Sequence, residues 1–261
     1  MNGLFKVPSH RLFHLDWIYA NYPSDYTRYH DLCAGSGALT YNHKHSVEYS
    51  VLNDWNYSIF ACHWVCKYLP ESLAKELSEI PFSYESWFMK KMFPRTTEKG
   101  KFEPSSFEVA LNQFVARGMS TNGNMLTFSP KASTLWFQTI DNIINYSKML
   151  QGVEVISERA ISYLKNNNFT PDDLIVFDPP AWNPMPIGIS KWDWFMTDQE
   201  HRDTLEIITQ VDAKVIIIGR DNDLYNYYLQ GWEKSTNSLV PPIKCRNSGT
   251  VECIWRNYHV V

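Results

Sequence analysis

The most informative stretch of the sequence is Asp172-Asp-Leu-Ile-Val-Phe-Asp-Pro-Pro-Ala-Trp-Asn183. Its short apolar run from Leu174 to Phe177 contains β-branched residues and predicts a buried strand. The strand must end at Asp178, because Pro179 and Pro180 have no N–H group to donate to a β-ladder. A residue before proline also avoids the helical region, so the chain leaves this strand in an extended or turn conformation.

The same stretch predicts a carboxylate held at the carboxyl end of a strand. Ligands of open α/β sheets bind along that edge. The Asp178 side chain and the Pro179 carbonyl both accept hydrogen bonds, so together they suit a substrate that offers an amino group. An ordinary strand followed by an Asp-Pro turn is the competing interpretation, and the stretch by itself does not decide between the two.

Length and composition limit the possible classes of protein. The 261 residues suffice for one large α/β domain with an insertion, or for two small domains. The net charge of −4 indicates that any contact with nucleic acid is a local basic patch. The five cysteines include no C-x-x-C pair, so we expect neither a disulfide framework nor a metal site. The sequence has no signal peptide or long apolar span, which predicts a cytosolic protein without membrane contact.

A second informative region runs from Tyr29 to Leu39 and predicts a strand, a glycine turn and the start of a helix. Gly35 and Gly37 allow a tight bend, and they let a ligand lie against the backbone because they carry no Cβ. A G-x-G sequence alone is a weak signal. No Gly-Lys-Ser/Thr follows it, so the region is not a phosphate-binding P-loop.

The next predicted strand, from Ser46 to Asp54, ends in an acidic residue. Rossmann-like sites hold a ribose hydroxyl pair with an acid at the end of the second strand. Asp54 follows the glycines by just under about 20 residues, which agrees with that pattern. Asp54 is also suited to cap the helix predicted from Trp55 to Tyr68, and one residue could do both.

The order of these motifs resembles that of the Dam-like (D12 class) adenine-N6 DNA methyltransferases of bacteria and phages. The strongest motifs are Asp31-Leu-Cys-Ala-Gly-Ser-Gly-Ala-Leu39, Leu52-Asn-Asp-Trp-Asn56 and Phe177-Asp-Pro-Pro180. The segments that agree in order are 11–23, 136–158, His201-x-x-Thr204-Leu205, the strand 214–218 and 252–258. Each motif alone is modest, but the ordered set covers most of the chain and is specific.

The resemblance implies a Rossmann-like α/β methyltransferase sheet that uses S-adenosylmethionine and contains an inserted target-recognition subdomain. The expected division is a cofactor half at 1–66, the insertion at 67–135 and a catalytic half at 136–261. The family's cofactor contacts fall on Ala34, Gly35, Ser36, Gly37, Asp54, Glu158 and Asp178, and on His10 or Arg11 in place of its usual lysine. Asp54 would hold the ribose, and Glu158 would lie near the adenine of the cofactor.

Residues 67–135 do not follow the alternating α/β pattern, which agrees with an insertion. The residues expected to contact DNA there are Lys90, Lys91, Lys99, Lys101, Arg117, Ser120 and Asn122. Local positive charge would hold phosphates, while Asn and Arg side chains can bind base edges. Asn122-Gly123 is a strong signal for a hairpin turn. A solvated subdomain of mixed charge is the alternative interpretation.

The catalytic residues implied by the resemblance are Asp178, Pro179 and Pro180. The family usually has an aromatic residue directly after Asp-Pro-Pro, where its ring stacks on the flipped adenine. This chain has Ala181 there, and the hypothesis is that Trp182 or Trp194 supplies the ring.

The resulting prediction is a site-specific methyltransferase of adenine N6 in double-stranded DNA. A role in restriction-modification or phage biology fits the resemblance, with the protein a monomer in the cytoplasm of a bacterial or phage-infected cell. Two alternatives stay open at this point. The protein could be a catalytically silent DNA-binding relative, or a methyltransferase that acts on RNA or a protein amide.

Overall fold

The computed structural model describes residues 3–5, 14–92, 105–182, 196–237 and 251–260. The described part is a mixed α/β chain, as the sequence predicts, and it contains seven β-strands and ten α-helices. It divides into two compact units. The glycine-turn unit comprises Met1–Phe13, Ala34–Lys44 and Asp54–Ser157, and the sheet unit comprises His14–Cys33, His45–Asn53 and Glu158–Val261. The three-part division at 67 and 136 stays a prediction.

The strands are β1 Arg28–Asp31, β2 Tyr49–Asn53, β3 Val153–Ile156, β4 Asp173–Phe177, β5 Lys214–Arg220, β6 Glu233–Asn237 and β7 Glu252–Arg256. The helices are α1 Leu15–Tyr19, α2 Ala38–Tyr41, α3 Tyr57–Tyr68, α4 Pro70–Glu79, α5 Tyr84–Lys91, α6 Ser106–Gly118, α7 Ser133–Met149, α8 Ala160–Asn166, α9 Asp198–Ile208 and α10 Asp223–Tyr228.

Six strands of the sheet unit lie in the order β2-β1-β4-β5-β7-β6. The first four are parallel, while β7 pairs antiparallel with both β5 and β6. Every residue of β4 is buried, as expected for an apolar central strand of a parallel sheet. The predicted strands that end at Phe177 and begin at Lys214 are therefore confirmed.

The strand order reverses beside β1, because chain connections from β1 lead first to β2 on one side and later to β4 on the other. Open α/β sheets bind ligands at the carboxyl ends of strands at such a switch point. β1 and β4 end together there: Asp31 pairs with Val176, and Leu32 N donates to the Val176 carbonyl at 3.0 Å. Asp178 follows directly, so the topology brings it to the edge where ligands bind.

Helix α9 of the sheet unit packs against α8 and α10. It begins with a capping box, in which Thr197 Oγ1 accepts from Glu200 N and the Glu200 carboxylate accepts from Thr197 N. A capping box satisfies two N–H groups that the first turn of a helix otherwise leaves unpaired. The first residues of α9 therefore have a defined geometry.

Within the glycine-turn unit, α3 packs against α6 and α7. The helix predicted from Trp55 to Tyr68 is confirmed as α3, but its cap lies at a different residue from the one predicted. Asn56 is the N-cap, and its side chain accepts from Ser58 N at 3.0 Å. Asp54 lies two residues earlier, so the interpretation of Asp54 as the helix cap is wrong and its carboxylate has other contacts.

Among the described helices, none combines the length and the apolar character that crossing a membrane requires.

Candidate cofactor and catalytic sites

The glycine turn from Ala34 to Gly37 has the backbone geometry that its sequence predicts. Gly37 N donates to the Ala34 carbonyl at 2.7 Å, and Gly35 and Gly37 have φ of 54° and 73°. A Cβ on Gly37 would lie 2.5 Å from Cε2 of the Tyr41 ring. Both the left-handed backbone and this close approach therefore require glycine at position 37.

Asp54 directly follows β2 and is 8% exposed. Its Oδ2 accepts from Gly35 N and its Oδ1 accepts from Asn56 N, each at 2.9 Å. A carboxylate offers about four acceptor positions. The two backbone N–H groups therefore leave capacity for a pair of hydroxyl groups.

Burial raises the pKa of the Asp54 carboxyl to about 6. The two backbone N–H groups and the positive charge of Arg117 act in the opposite direction, because they favour the ionised form. Asp54 is consequently ionised at neutral pH and gains a proton in mildly acidic solution. A buried acid whose pKa lies this close to neutrality is a common feature of functional sites.

The side chain of His63, in α3, forms a hydrogen bond with the glycine turn. Its Nε2 lies 2.9 Å from the Gly35 carbonyl oxygen, and its Nδ1 lies 2.9 Å from the Tyr41 hydroxyl. Burial lowers the pKa of His63 to about 4, so the ring is neutral and has one N–H donor. That donor must be Nε2, because the Gly35 carbonyl can only accept, and Nδ1 then accepts from Tyr41.

Leu4, near the amino terminus, also binds the glycine turn. Leu4 N donates to the Ser36 carbonyl at 2.8 Å. Neither Leu4 nor His63 was predicted from the sequence to support the turn. His10 and Arg11, the predicted cofactor contacts, lie outside the described residues.

Glu158 belongs to the sheet unit, where Asn53 fixes its backbone. Glu158 N donates to Asn53 Oδ1 at 2.8 Å, and Asn53 Nδ2 donates to the Glu158 carbonyl at 3.0 Å and to the Leu32 carbonyl at 3.1 Å. The Glu158 side chain is exposed. Its carboxylate is thus accessible, on a backbone that is held in place.

The predicted catalytic turn begins directly after β4. Asp178 is half-buried, Pro179 is buried, Pro180 is half-buried and Ala181 is exposed. The methyl group of Ala181 cannot stack on a base as an aromatic ring would. The chain therefore has the acceptors at this turn but lacks the ring at the position directly after the prolines.

Tyr225 and His201 are two further buried side chains of the sheet unit, and Tyr225 interacts electrostatically with Asp178. Tyr225 has a pKa well above its ordinary value, chiefly because of burial and further because of negative charge at Cys33 and Asp178. Its hydroxyl lies 2.9 Å from His201 Nδ1. Burial lowers the pKa of His201 to about 4, so both members of this pair are neutral at pH 7.

Trp182 is half-buried and makes a specific hydrogen bond. Its indole Nε1–H donates to Asp198 Oδ1 at 2.6 Å. Trp194, the other aromatic residue considered for base stacking, lies outside the described residues. Position in the sequence alone could not reveal the partner of Trp182, because Asp198 is 16 residues further along the chain.

The sequence profile of one protein family, D12 class N6 adenine-specific DNA methyltransferase, matches residues 14–184. That match spans more than half of the 261 residues and includes the glycine turn, Asp54 and the Asp-Pro-Pro turn. The chain belongs to this family. It therefore has the Rossmann-like methyltransferase fold, and its family acts on adenine in DNA. A comparison with curated proteins found no match.

Some of the residues expected to contact DNA in the family's recognition region lie at the surface. Lys90 and Lys91 end α5, and Lys91 Nζ lies 3.3 Å from the Leu126 carbonyl oxygen and 4.4 Å from the centroid of the Trp87 ring. Asn122 is exposed. Lys99 and Lys101 lie outside the described residues.

The predicted turn at Asn122-Gly123 is confirmed. Asn122 and Gly123 have φ of 52° and 70°, the positive values that a type I′ turn requires at its two central residues. Asn124 N donates to the Thr121 carbonyl at 3.1 Å and closes the turn. A single antiparallel bridge, Ser120 to Phe128, flanks it in place of two full strands.

Arg117 and Ser120 require a correction, because they are only 1% and 2% exposed and do not lie at the surface where DNA would bind. Arg117 ends the buried run of α6, and its guanidinium donates to Gln113 Oε1 at 3.2 Å and to the Gly123 carbonyl at 3.4 Å. Ser120 Oγ donates to the Arg117 carbonyl at 3.0 Å. Both side chains hold the turn against α6.

Proposed function

We propose that the protein transfers a methyl group from S-adenosylmethionine to N6 of an adenine at a specific site in double-stranded DNA. The observation that carries this proposal is the placement of Asp178 and the Pro179 carbonyl directly after buried β4, at the switch point of the sheet. Two acceptors at that edge suit a planar amino group, and adenine in DNA offers one. The match to the D12 family supports the same substrate.

The residues of the glycine-turn unit fit the cofactor. The ionised Asp54 carboxylate keeps acceptor capacity for the two hydroxyl groups of a ribose. The positive φ at Gly35 and Gly37 gives the turn the tight bend that the sequence predicts for a cofactor loop. When bound, S-adenosylmethionine supplies an electrophilic methyl group. We propose that Ala34, Gly35, Ser36 and Gly37 line its binding site, and that Glu158 lies near its adenine.

The target adenine must leave the base stack before its amino group can reach the catalytic turn. There, the N6 amino group would donate one hydrogen bond to Asp178 and one to the Pro179 carbonyl. Both hydrogens are then held, so the nitrogen lone pair is directed toward the incoming methyl group. The negative charge of Asp178 also compensates the positive charge that develops on N6 as its bond to the methyl group forms and the sulfur–methyl bond breaks. S-adenosylhomocysteine would then leave, and N6 would lose one proton to water. Orientation and electrostatic support are the two contributions to rate that the turn supplies.

We propose that residues 67–135 form the target-recognition insertion, between a cofactor half at 1–66 and a catalytic half at 136–261. Lys90 and Lys91 would bind phosphates, and Asn122 at the exposed tip of its turn would approach the bases. Lys99 and Lys101 belong to the same proposal. Arg117 and Ser120 do not, because their side chains are buried.

A second candidate function is a catalytically silent DNA-binding protein. The exposed Ala181 favours it, because this position lacks the aromatic ring that would hold a flipped base. The loss of one stacking interaction costs about 1–3 kcal/mol. A relative with this defect could keep the fold and the DNA-binding surface while losing turnover.

Transfer of a tritiated methyl group to adenine-containing DNA, RNA and protein tests both candidates, with the methylated nucleosides identified. We expect N6-methyladenine from DNA alone. Asp178→Asn and Asp178→Ala should each lower the rate by about 100-fold or more, on the scale observed when a transition state loses one electrostatic interaction. Cofactor affinity, measured by calorimetry, should change little.

Asp172→Asn is the matched control, because Asp172 is an exposed acid that precedes the same strand. It should keep the parent's activity. Near-parent activity of Asp178→Ala would contradict the mechanism. If the parent is inactive and Ala181→Tyr restores methylation of DNA, the protein is a silent relative.

A further inference from the structure

The indole of Trp182 is tied to the first turn of α9. Its Nε1–H donates to Asp198 Oδ1 at 2.6 Å. A hydrogen bond to an ionised acceptor is roughly twice as strong as one between neutral groups. Trp182 lies only four positions after Asp178, so this contact fixes an aromatic ring close in sequence to the proposed catalytic carboxylate.

Asp198 is itself held by a second partner. Arg202 Nε donates to Asp198 Oδ2 at 2.8 Å from one turn further along α9. The Asp198 carboxylate therefore joins Trp182 and Arg202 through its two oxygens. The pKa of Asp198 lies below its usual value, first because of the Arg202 hydrogen bond and then because of the one from Trp182.

The first turn of α9 is also stabilised by side-chain contacts. The capping box of Thr197 and Glu200 fixes its first turn, and Arg159 forms an ion pair with Glu200. A negative charge in the first turn of a helix also interacts favourably with the helix dipole. Asp198 thus has a defined position on a rigid element, which is what a residue needs in order to position another side chain.

The direction of the bond matters for what the ring can do. The Nε1–H of an indole lies in the plane of the ring, so a hydrogen bond there restrains one edge and leaves both faces of the ring uninvolved. Bases stack on such faces without regard to their hydrogen-bonding pattern. The exposed Ala181 offers no ring of its own.

We propose that Asp198 and Arg202 are positioning residues that hold Trp182 as the stacking partner of the flipped adenine. This inference rests on the proposed function, and it accounts for how the protein acts without an aromatic residue at position 181. Asp198 takes no part in the transfer itself. Because Asp198 restrains the Trp182 side chain before the base binds, that side chain loses less conformational entropy on binding.

The contact can be tested apart from any activity by fluorine NMR of the full chain labelled with 5-fluorotryptophan. The Trp182 signal is the one that disappears in Trp182→Phe. Asp198→Ala should shift and sharpen this signal, because the ring gains freedom. Asp203→Ala is the matched control, since Asp203 lies on the same helix and binds Gln199 at 2.6 Å. A Trp182 signal that is unchanged in Asp198→Ala would show that Asp198 does not restrain the Trp182 ring.

The role in base binding is tested with two duplexes that carry the methylated sequence mapped from the reaction products, one with adenine and one with an abasic site at the target. Loss of stacking should weaken binding of the adenine duplex by about 5-fold to 100-fold in Asp198→Ala and Trp182→Ala. Binding of the abasic duplex should change little, because it has no base to stack. Asp203→Ala should bind both duplexes as the parent does.

The outcomes separate this inference from the proposed function. If Asp198→Ala moves the Trp182 signal but binds both duplexes like the parent, the positioning role is wrong while the methyltransferase function stands. Equal weakening on both duplexes would also overturn it, because that result indicates a general structural role. A parent that methylates no nucleic acid overturns both the proposed function and the stacking role.

Discussion

At the scale of single residues, Asp54 shows how burial prepares an acid for a ligand. Two backbone N–H groups keep its carboxylate ionised at neutral pH, although burial raises its pKa to about 6. A ligand that donates hydrogen bonds to this carboxylate binds the ionised form only. If Asp54 holds the cofactor ribose as proposed, proton uptake by Asp54 competes with cofactor binding.

We expect affinity for S-adenosylhomocysteine, which binds like the cofactor but carries no methyl group to transfer, to fall as the pH drops below about 6. The loss approaches tenfold per pH unit once Asp54 is mostly protonated. Asp54→Asn should weaken binding by about 1–3 kcal/mol at pH 8 and remove this pH dependence. Calorimetry from pH 5 to pH 8 measures both effects, with the exposed Asp141→Asn as control. A pH dependence that survives in Asp54→Asn would assign it to another group.

The sequence predicted Asp54 and Asp178 as functional candidates because each follows a strand whose apolar pattern is local. It could not predict the contacts of His63 with Gly35, which lies 28 residues away, or of Trp182 with Asp198. Such contacts depend on how helices pack, and no local pattern encodes that. Their residues are ordinary in composition and stand out only when their partners are known.

At the scale of elements, the strands that contain Val51, Ile175 and Val215 were predicted from the sequence, whereas β6 and the burial of Arg117 were not. The run Lys214 to Ile218 is apolar and β-branched, so its strand is unambiguous. The polar segment after Arg117 predicts a surface residue, whereas Arg117 is the last residue of a buried run in α6 that begins at Val109. Hydrogen bonds to Gln113 and Gly123 compensate its burial, and this compensation is invisible in the sequence.

The end of α5 carries the clearest prediction for DNA binding. If Lys90 and Lys91 bind phosphates, changing both to Gln should lower DNA affinity. It should also flatten the dependence of affinity on salt by about 0.9 logarithmic units for each phosphate that is no longer neutralised. Titrations at several salt concentrations measure the slope. Cofactor binding should not change.

Lys148→Gln is the control for this test, since Lys148 is an exposed lysine near the end of α7. It should bind DNA as the parent does. An unchanged slope in the double variant would place the DNA on another surface.

At the scale of the whole molecule, buried histidines make the fold sensitive to acid. Burial lowers the pKa of His63 and of His201 to about 4, and it also lowers the pKa of His30. The unfolded chain takes up these protons near pH 6.5, before the folded protein does. Stability is therefore lost as the pH falls below about 6.5. Asp54 acts in the opposite direction, because its raised pKa favours the folded state below about 6.

We expect the free energy of unfolding to fall between pH 6.5 and pH 4.5. Each histidine with a strongly lowered pKa changes the free energy of unfolding by at most about 1.4 kcal/mol per pH unit. Below about pH 6, the opposite effect of Asp54 offsets the contribution of roughly one histidine. Urea unfolding at a series of pH values measures the slope. His201→Gln should reduce the slope by about the share of one histidine. Equal slopes in the His201 variant and the parent would contradict this account.

Asn53 has a consequence for how the fold tolerates change. Its carboxamide has the same donor and acceptor groups as a peptide bond, and it uses three hydrogen bonds to join the chain at Leu32 to the chain at Glu158. The Asn53 side chain thus supplies, between these two segments, hydrogen bonds of the kind that backbone groups form in a β-ladder. The segment that follows Leu32 and helix α8, which begins two residues after Glu158, therefore start from points that one side chain holds together. Replacing this one side chain would therefore release both segments at once.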